Sequence, residues 1–438
     1  MLAILGGTPV ISEGSVAPWP QILPQDKAAV MRAMETASPW RWPFGEVTQL
    51  ESAWARYVGR KHCIATNSGT SALHMCVAAS GAGPGDEVLV PADTFLASAT
   101  CVLHANAVPV FVDTDPVTYT IDPDQAERQI GPRTRAIVAT DLHGLPADFG
   151  RLAEVADRHG LFLIEDASQA HGAAYRGRRA GALGDASAAS VNGSKCLSAL
   201  GEGGLFTTDG DDQRDRAARL CAFDDVYESQ TVPEYHSSIM GWNYRMDVLA
   251  GAFAYSQLQR LDEMTAVRAE NGTWLIAALS GMSGIRVPEV PADRTHAFFL
   301  FPILVEPADL GLDDLPVPAF RQALRDVLQA EGVPVMESQT APLPGLPMFR
   351  DQHGYGRGCP WTCTHNMPAR QYWAEEFPVA SDVCRRRLTL GHSYSSFGPP
   401  NGLKTMQQIS DAFAKVLTDH RDDLVRLVAS AAAGGTGR

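Results

Sequence analysis

LFLIEDASQAHGAAYRGRRAGALGDASAASVNGSKCLSALGEGG occupies residues 161–204. It opens on a short apolar run, Leu161 to Ile164, which ends on Glu165-Asp166, the pattern of a buried strand delivering a carboxylate to the C-terminal edge of a sheet. A second strand of small residues, Ala186 to Val191, leads into Asn192-Gly193-Ser194-Lys195 and then the cluster Gly201-Glu202-Gly203-Gly204. Glycine accepts backbone angles that other residues resist and lets another molecule approach the chain closely. A lysine in that setting suits Schiff-base chemistry, because burial makes an amine easier to deprotonate and therefore nucleophilic. If the carbonyl is that of pyridoxal 5′-phosphate, the ring nitrogen must stay protonated to act as an electron sink, and Asp166 is the natural carboxylate partner. Either residue alone reads as an ordinary loop lysine or a solvated strand end. The two on consecutive strand ends, with Gln169 and Ser190 suitably placed, make one hypothesis of a cofactor site.

The whole chain fits a soluble metabolic enzyme. At 438 residues it is long enough for a large core and usually for two domains. It is 45% hydrophobic and 20% charged, with no apolar run of about 18 residues or more, so no membrane partner is expected. The net charge of −14 argues against a general nucleic-acid surface. The N-terminus carries no basic leader, and the expected location is cytoplasmic. Eight scattered cysteines suit reduced thiols better than a disulfide framework. His353, Cys359, Cys363 and His365 are four potential zinc ligands, but the Cys359–Cys363 spacing is not a usual C-x₂-C pair; an ordered loop is the preferred reading and no metal is expected.

In chain order, residues 1–24 read as an arm, with a Gly6-Gly7-Thr8-Pro9 turn and a stiff Pro18-Trp19-Pro20. A helix is expected from Gln25 to Met34. The aromatic, proline-rich SPWRWPFG at 38–45 is either packing or a wall of the substrate site, and a further helix runs from Glu46 to Val58. Then strands and helices alternate: strand His62 to Thr66, the small loop Asn67 to Thr70, helix Ser71 to Ala79, strand Val88 to Val90, helix Leu96 to Asn106, strand Val108 to Val112 and so on through Leu205 to Thr208. The alternation implies an α/β class with a mainly parallel sheet covered on both faces. A small-residue loop opening a helix presents free amides and a positive dipole end, hence a phosphate cradle at Gly69-Thr70. Phe95, just past a strand end, is either a ring-stacking wall or a core residue. After an irregular 223–238, a long helix ends near Leu261 and another spans Ala266 to Leu279. The boundaries expected are a large domain over 25–290, a smaller domain over 291–425 with strand Ala297 to Val305 and helices Val317 to Ala330, Val379 to Leu388 and Leu403 to Asp419, and a disordered tail over 426–438.

With these residues in view, the chain resembles the DegT/DnrJ/EryC1/StrS family of sugar and cyclitol aminotransferases over most of its length, from GGTP to the second domain. The resemblance implies the aspartate-aminotransferase-type fold (fold type I), with a large mainly parallel-sheet domain and a smaller C-terminal α/β domain, and a homodimer with shared active sites. Lys195 in NGSK…GEGG matches the lysine that holds the cofactor and shuttles a proton. Asp166 in EDASQAHG matches the partner of the ring nitrogen, and Gln169 the contact to the ring hydroxyl. Gly69, Thr70 and Ser190 match the phosphate site, Phe95 the stacking aromatic, and Asn243 in GWNYRMD a residue that the neighbouring subunit adds to the phosphate site. Arg41, Trp42, His171, Tyr175 and Arg245 are candidate substrate contacts, each equally readable as structural.

The implied reaction is ping-pong transfer of an amino group from glutamine or glutamate to a ketone. The arm and the aromatic stretch resemble the branch that acts on scyllo-inosose or forms aminohydroxybenzoate, so a keto-cyclitol or free keto-sugar in an antibiotic-type pathway is expected ahead of a nucleotide-linked keto-sugar. The family's dehydratases replace the lysine with histidine, which favours transamination here; an aromatising synthase that keeps its lysine stays open as an alternative. Two departures bear on the substrate: SAASVN lacks the phenylalanine often found after the phosphate serine, and CPWTC at 359–363 matches no assignable element. A cofactor-binding regulator is disfavoured because no basic DNA-reading segment is present, and a nicotinamide dehydrogenase because no G-x-G-x-x-G follows an early strand.

Overall fold

A computed structural model describes residues 1–36, 45–223, 239–366, 370–391 and 397–434. Arg41, Trp42 and nearly all of the 38–45 and 223–238 stretches lie outside the described residues.

The helices are α1 Pro24–Thr36, α2 Gly45–Val58, α3 Gly69–Ser80, α4 Ala97–His104, α5 Pro123–Arg128, α6 Phe149–His159, α7 Asp211–Cys221, α8 Val248–Leu258, α9 Leu261–Leu279, α10 Val317–Ala330, α11 Pro347–Arg350, α12 Pro378–Arg386, α13 Leu403–Ala414 and α14 Arg421–Gly434. The strands are β1 His62–Thr66, β2 Glu87–Pro91, β3 Val108–Val112, β4 Thr134–Thr140, β5 Phe162–Asp166, β6 Ala174–Tyr175, β7 Arg178–Arg179, β8 Ala186–Ser190, β9 Gly204–Thr208, β10 Ile285–Arg286, β11 Phe301–Val305, β12 Val335–Met336 and β13 Arg387–Leu390.

Seven strands form the large sheet in the order β1-β9-β8-β5-β4-β2-β3. β9 runs antiparallel to both its neighbours, and the other pairs are parallel. β2, β3 and β8 are buried along their whole length, as strands covered by helices on both faces must be. β8 is built of Ala and Ser because α3 lies directly over it in the same core. The register places Asp166 at the end of β5, Ser190 at the end of β8 opposite Gly204, and Thr66 opposite the same glycine. One edge of the sheet therefore collects the carboxylate, the serine and the loop into α3. In parallel α/β sheets this is the edge where ligands bind.

A second sheet, β10-β11-β13-β12, is antiparallel throughout and packs with α10 and α13 around Phe301, Phe320, Phe397 and Phe413.

Several boundaries differ from the sequence expectation. The helix expected to run to Leu388 stops at Arg386, and Arg387–Leu390 becomes the inner strand β13. This charged segment is buried because Arg387 pairs with Asp93. The break between α8 and α9 comes at Gln259-Arg260, where the Arg260 guanidinium binds the carboxylate of Asp26 and the carbonyl of Gln21. Residues 297–300 are not laddered strand: Ala297 and Leu300 donate instead to the carbonyls of Gly144 and His143. Residues 343–380, assigned by sequence to the small domain, contribute Leu343, Phe349, Trp361 and Tyr372 to the core of the large one. In place of a disordered tail from 426, α14 continues to Gly434.

Candidate active site

A cavity of about 460 Å³ opens at this sheet edge and is lined by Gly69, Thr70, Phe95, Asp166, Gln169, Ser190 and Lys195. Residues 126 apart in sequence, Gly69 and Lys195, meet because β1 and β8 flank β9 and end, with β5, on the same edge of the sheet.

At one end stands the N-terminus of α3. Ser68 caps it, its hydroxyl accepting from the Ser71 N–H at 3.1 Å. Gly69 sits so close to β8 that an added Cβ would come within 2.6 Å of the Ser190 Cβ. An added Cβ on Gly204 would meet the Ser68 carbonyl oxygen at 2.3 Å. Both glycines exist to let this loop settle against the sheet. The free amides of the first helical turn and the Ser190 hydroxyl then face one space, which is an anion cradle.

At the other end lies Asp166. Its Oδ2 accepts from the Ser98 hydroxyl at 2.7 Å and its Oδ1 from the Ser168 N–H at 3.2 Å. The Ser98 hydroxyl accepts in turn from Thr140 at 3.3 Å, and Thr140 from Thr94 at 3.0 Å. Gln169 accepts the His143 N–H on its Oε1 at 2.8 Å, which leaves its amide N–H groups free to donate to an acceptor in the cavity. Lys195 Nζ lies 4.3 Å from the centroid of Phe299 and 5.9 Å from that of Phe95. Burial holds its amine below the usual lysine range, against the opposing pull of Asp166. Trp19 of the N-terminal arm donates its indole N–H to the Lys195 carbonyl at 2.9 Å, so the arm steadies the backbone that carries the amine.

The remaining sequence candidates stand elsewhere. Tyr175 is buried against Phe149 and α6, its hydroxyl donating to Asp148 at 2.8 Å and accepting from the Gly150 N–H, so it is structural and not a cavity residue. His171 is buried behind the site against Trp54, where burial, aided by the positive charges of Lys195 and Arg268, pushes its imidazole down to about 3 and keeps it neutral. Asn243 and Arg245 sit on isolated bridges to Ala222 and Thr66, outside the cavity of their own chain. Among the described residues no group of three or more His, Cys, Asp or Glu is arranged to hold a metal ion. Cys359 and Cys363 lie side by side, Sγ to Sγ 2.6 Å, in the loop packed on the large domain.

Sequence reasoning missed Ser98, Phe299 and Gln339. Ser98 lies in a small-residue helix with no distinguishing pattern. Phe299 and Gln339 come from the far part of the chain and reach the cavity only through tertiary packing.

The model of the DegT/DnrJ/EryC1/StrS aminotransferase family matches residues 22–373. L-glutamine:2-deoxy-scyllo-inosose aminotransferase of Streptomyces kanamyceticus is 35% identical over 96% of this chain and 97% of its own length. GDP-perosamine synthase of Caulobacter vibrioides is 38% identical over 65% of this chain and 75% of its own. Among solved structures, 3-amino-5-hydroxybenzoic acid synthase superposes with a TM-score of 0.79 at 26% identity, covering 94% of this chain and all of that one. Enzymes of that family work with pyridoxal 5′-phosphate. The cavity passes the test of fit: it has an anion cradle at one end, so close-set that a Cβ on Gly69 would meet Ser190, a carboxylate at the other, an amide donor on one rim and a burial-softened amine between.

Proposed function

Because this chain belongs to the DegT/DnrJ/EryC1/StrS aminotransferase family, we propose that the cavity transfers an amino group from glutamine or glutamate to a keto-cyclitol or a related free keto-sugar, as in the making of an antibiotic-type aminocyclitol. The observation that carries the reading is the convergence of Lys195, Asp166 and the α3 N-terminus on one cavity. Support for the cyclitol comes from the relative matched over nearly the whole of both chains, whereas the match to the GDP-perosamine synthase stops at 65% of this one.

Pyridoxal 5′-phosphate, when bound, supplies a reactive carbonyl and an electron sink. In the proposed assignment Gly69, Thr70 and Ser190 hold its phosphate, Asp166 its ring nitrogen, Gln169 its ring hydroxyl and Phe95 one ring face. Ser98 and Ser168 donate to the Asp166 carboxylate and so orient it. Lys195, whose amine burial makes easier to deprotonate, takes up and returns the proton at the substrate carbon. The proposed assembly is a homodimer in which Asn243 serves the partner subunit's phosphate site. Supporting it, Asn243 stands outside its own cavity, flanked by the exposed Met240 and Trp242. Among the described residues no helix is long and apolar enough to cross a membrane; the proposed location is the cytoplasm.

The test is the absorption spectrum of the protein with pyridoxal 5′-phosphate, before and after glutamine, in the wild type and in Lys195→Ala. A visible band that requires Lys195 and bleaches on adding glutamine supports the transferase. A band that no amino donor bleaches moves the reading to an aromatising synthase, the reaction class named for the 3-amino-5-hydroxybenzoic acid synthase neighbour. Turnover in Lys195→Ala would end both.

A further inference from the structure

Arg387 opens β13 in the small sheet and is fully buried, far along the chain from every residue assigned to the cofactor. Its guanidinium grips Asp93 with both nitrogens, Nη1 to Oδ2 at 2.5 Å and Nη2 to Oδ1 at 3.0 Å, and the Asp93 side chain is buried as well. Nη2 also reaches the backbone carbonyl of Gln339 at 3.3 Å and its Oε1 at 3.4 Å. Gln339 lines the cavity, is held at φ +44°, and donates its Nε2 to the carbonyl of Thr94. Asp93 and Thr94 immediately precede Phe95 on the loop that follows β2.

A buried ion pair adds little net stability compared with apolar residues of the same shape, because desolvation offsets the attraction. What a bidentate pair supplies is geometry: a planar fork that fixes direction as well as distance. Here the fork is mounted on the small sheet, and its targets are the loop bearing Phe95 and the wall residue Gln339. Thr94 then continues the hydroxyl chain through Thr140 and Ser98 to Asp166. The phosphate cradle at α3 and β8 meets this assembly at its far end, where Ser168 donates its N–H to Asp166 and accepts the Ser190 N–H on its hydroxyl.

We propose that Arg387 is a positioning residue: through Asp93 and Gln339 it fixes the segment Asp93-Thr94-Phe95, and with it the ring-facing half of the cavity, while leaving the phosphate half untouched. The inference rests on the reading of this cavity as the pyridoxal 5′-phosphate site.

Two variants test it. Arg387→Lys keeps a positive charge against Asp93 but has no planar fork to span Asp93 and Gln339 together. The pair Arg387→Met with Asp93→Asn removes both charges at nearly constant volume, so no buried charge is left unmatched. Melting temperature reports folding of each apo-protein; equilibrium titration gives affinity for pyridoxal 5′-phosphate; thermal shift with inorganic phosphate gives affinity for the phosphate half alone; visible circular dichroism of the bound cofactor reports how its ring is held. The expected result is a loss of cofactor affinity of about tenfold or more with an altered dichroic band and unchanged phosphate affinity. A folded Lys variant with wild-type cofactor affinity and dichroism overturns the proposal, as does equal loss of phosphate and cofactor affinity, which is what general loosening produces. If the pair variant does not fold, the Lys variant decides alone. Failure of the wild type to bind pyridoxal 5′-phosphate would instead remove the reading of the cavity itself.

Discussion

Gly69→Ala tests the phosphate cradle. Alanine is the better helix former, by about 1 kcal/mol in a helix interior, and Gly69 is not among the glycines held at positive φ, so local propensity alone predicts a neutral or slightly stabilising change. Packing predicts the opposite. The new Cβ would stand 2.6 Å from the Ser190 Cβ and 3.0 Å from its Cα, where ordinary carbon–carbon contact is about 3.5 Å or more. Ser190 belongs to β8, which is laddered to β5 on one side and β9 on the other, so the loop must retreat by about 1 Å. Overpacking of this kind costs about 1–3 kcal/mol, which exceeds the propensity gain. The retreat also withdraws the first-turn amides from a bound phosphate, and each hydrogen bond to a charged group is worth about 1.5–3 kcal/mol. Loss of one such bond weakens cofactor binding by roughly ten- to a hundredfold. Titration of apo-protein with pyridoxal 5′-phosphate measures this, alongside the melting temperature. The double variant Gly69→Ala with Ser190→Gly removes the obstructing Cβ, so the alanine should cost less stability in that background than in the wild type. Wild-type affinity and melting temperature in Gly69→Ala, or the same cost in both backgrounds, would refute the steric argument.

Other expectations follow from the same geometry. Lys195→Ala should keep the fold and lose turnover and the visible band, checked by melting temperature and spectroscopy. Ser98→Ala removes the 2.7 Å donor to Asp166 and, at about 1.5–3 kcal/mol for a bond to a charged group, should weaken cofactor binding roughly tenfold or more in the same titration. Burial pushes the Glu51 carboxyl up to about 7, against the Ala65 N–H that it accepts. A raised carboxyl costs nothing below its unfolded value, and its penalty grows from there up to the folded value and is constant above it. Between about pH 4.5 and 7, therefore, the wild type should lose at most roughly 3 kcal/mol that Glu51→Gln does not lose, read by urea unfolding at pH 5 and pH 8. A Glu51→Gln variant with the wild-type pH dependence would exclude that carboxyl as the cause.

The legibility of this protein divides along physical lines. Alternation of short apolar runs with helical periods, glycine at close approaches, and a carboxylate or lysine at strand ends are local signals, and they sufficed to identify the α/β sheet, the α3 cradle and the pairing of Asp166 with Lys195. Such signals carry because strand and helix periodicities are imposed by burial of one face, whatever the partner. Other features depend on what a segment meets after hundreds of residues. Arg387-Leu388 reads as the end of a helix, yet opens a buried strand because Asp93 waits to neutralise Arg387. His171 lies within the signature motif and Tyr175 just after it, yet they pack against Trp54 and against Phe149 and Asp148, away from the cavity lining. Phe299 and Gln339 carry no local mark and enter the cavity only through the small sheet's docking. By itself the sequence determined the sheet, the placing of Asp166 and Lys195 at its edge, and the family; the tertiary structure alone decided which side chains wall the cavity and what holds them there, because burial and charge pairing between distant segments are properties of the packed chain and not of any stretch of it.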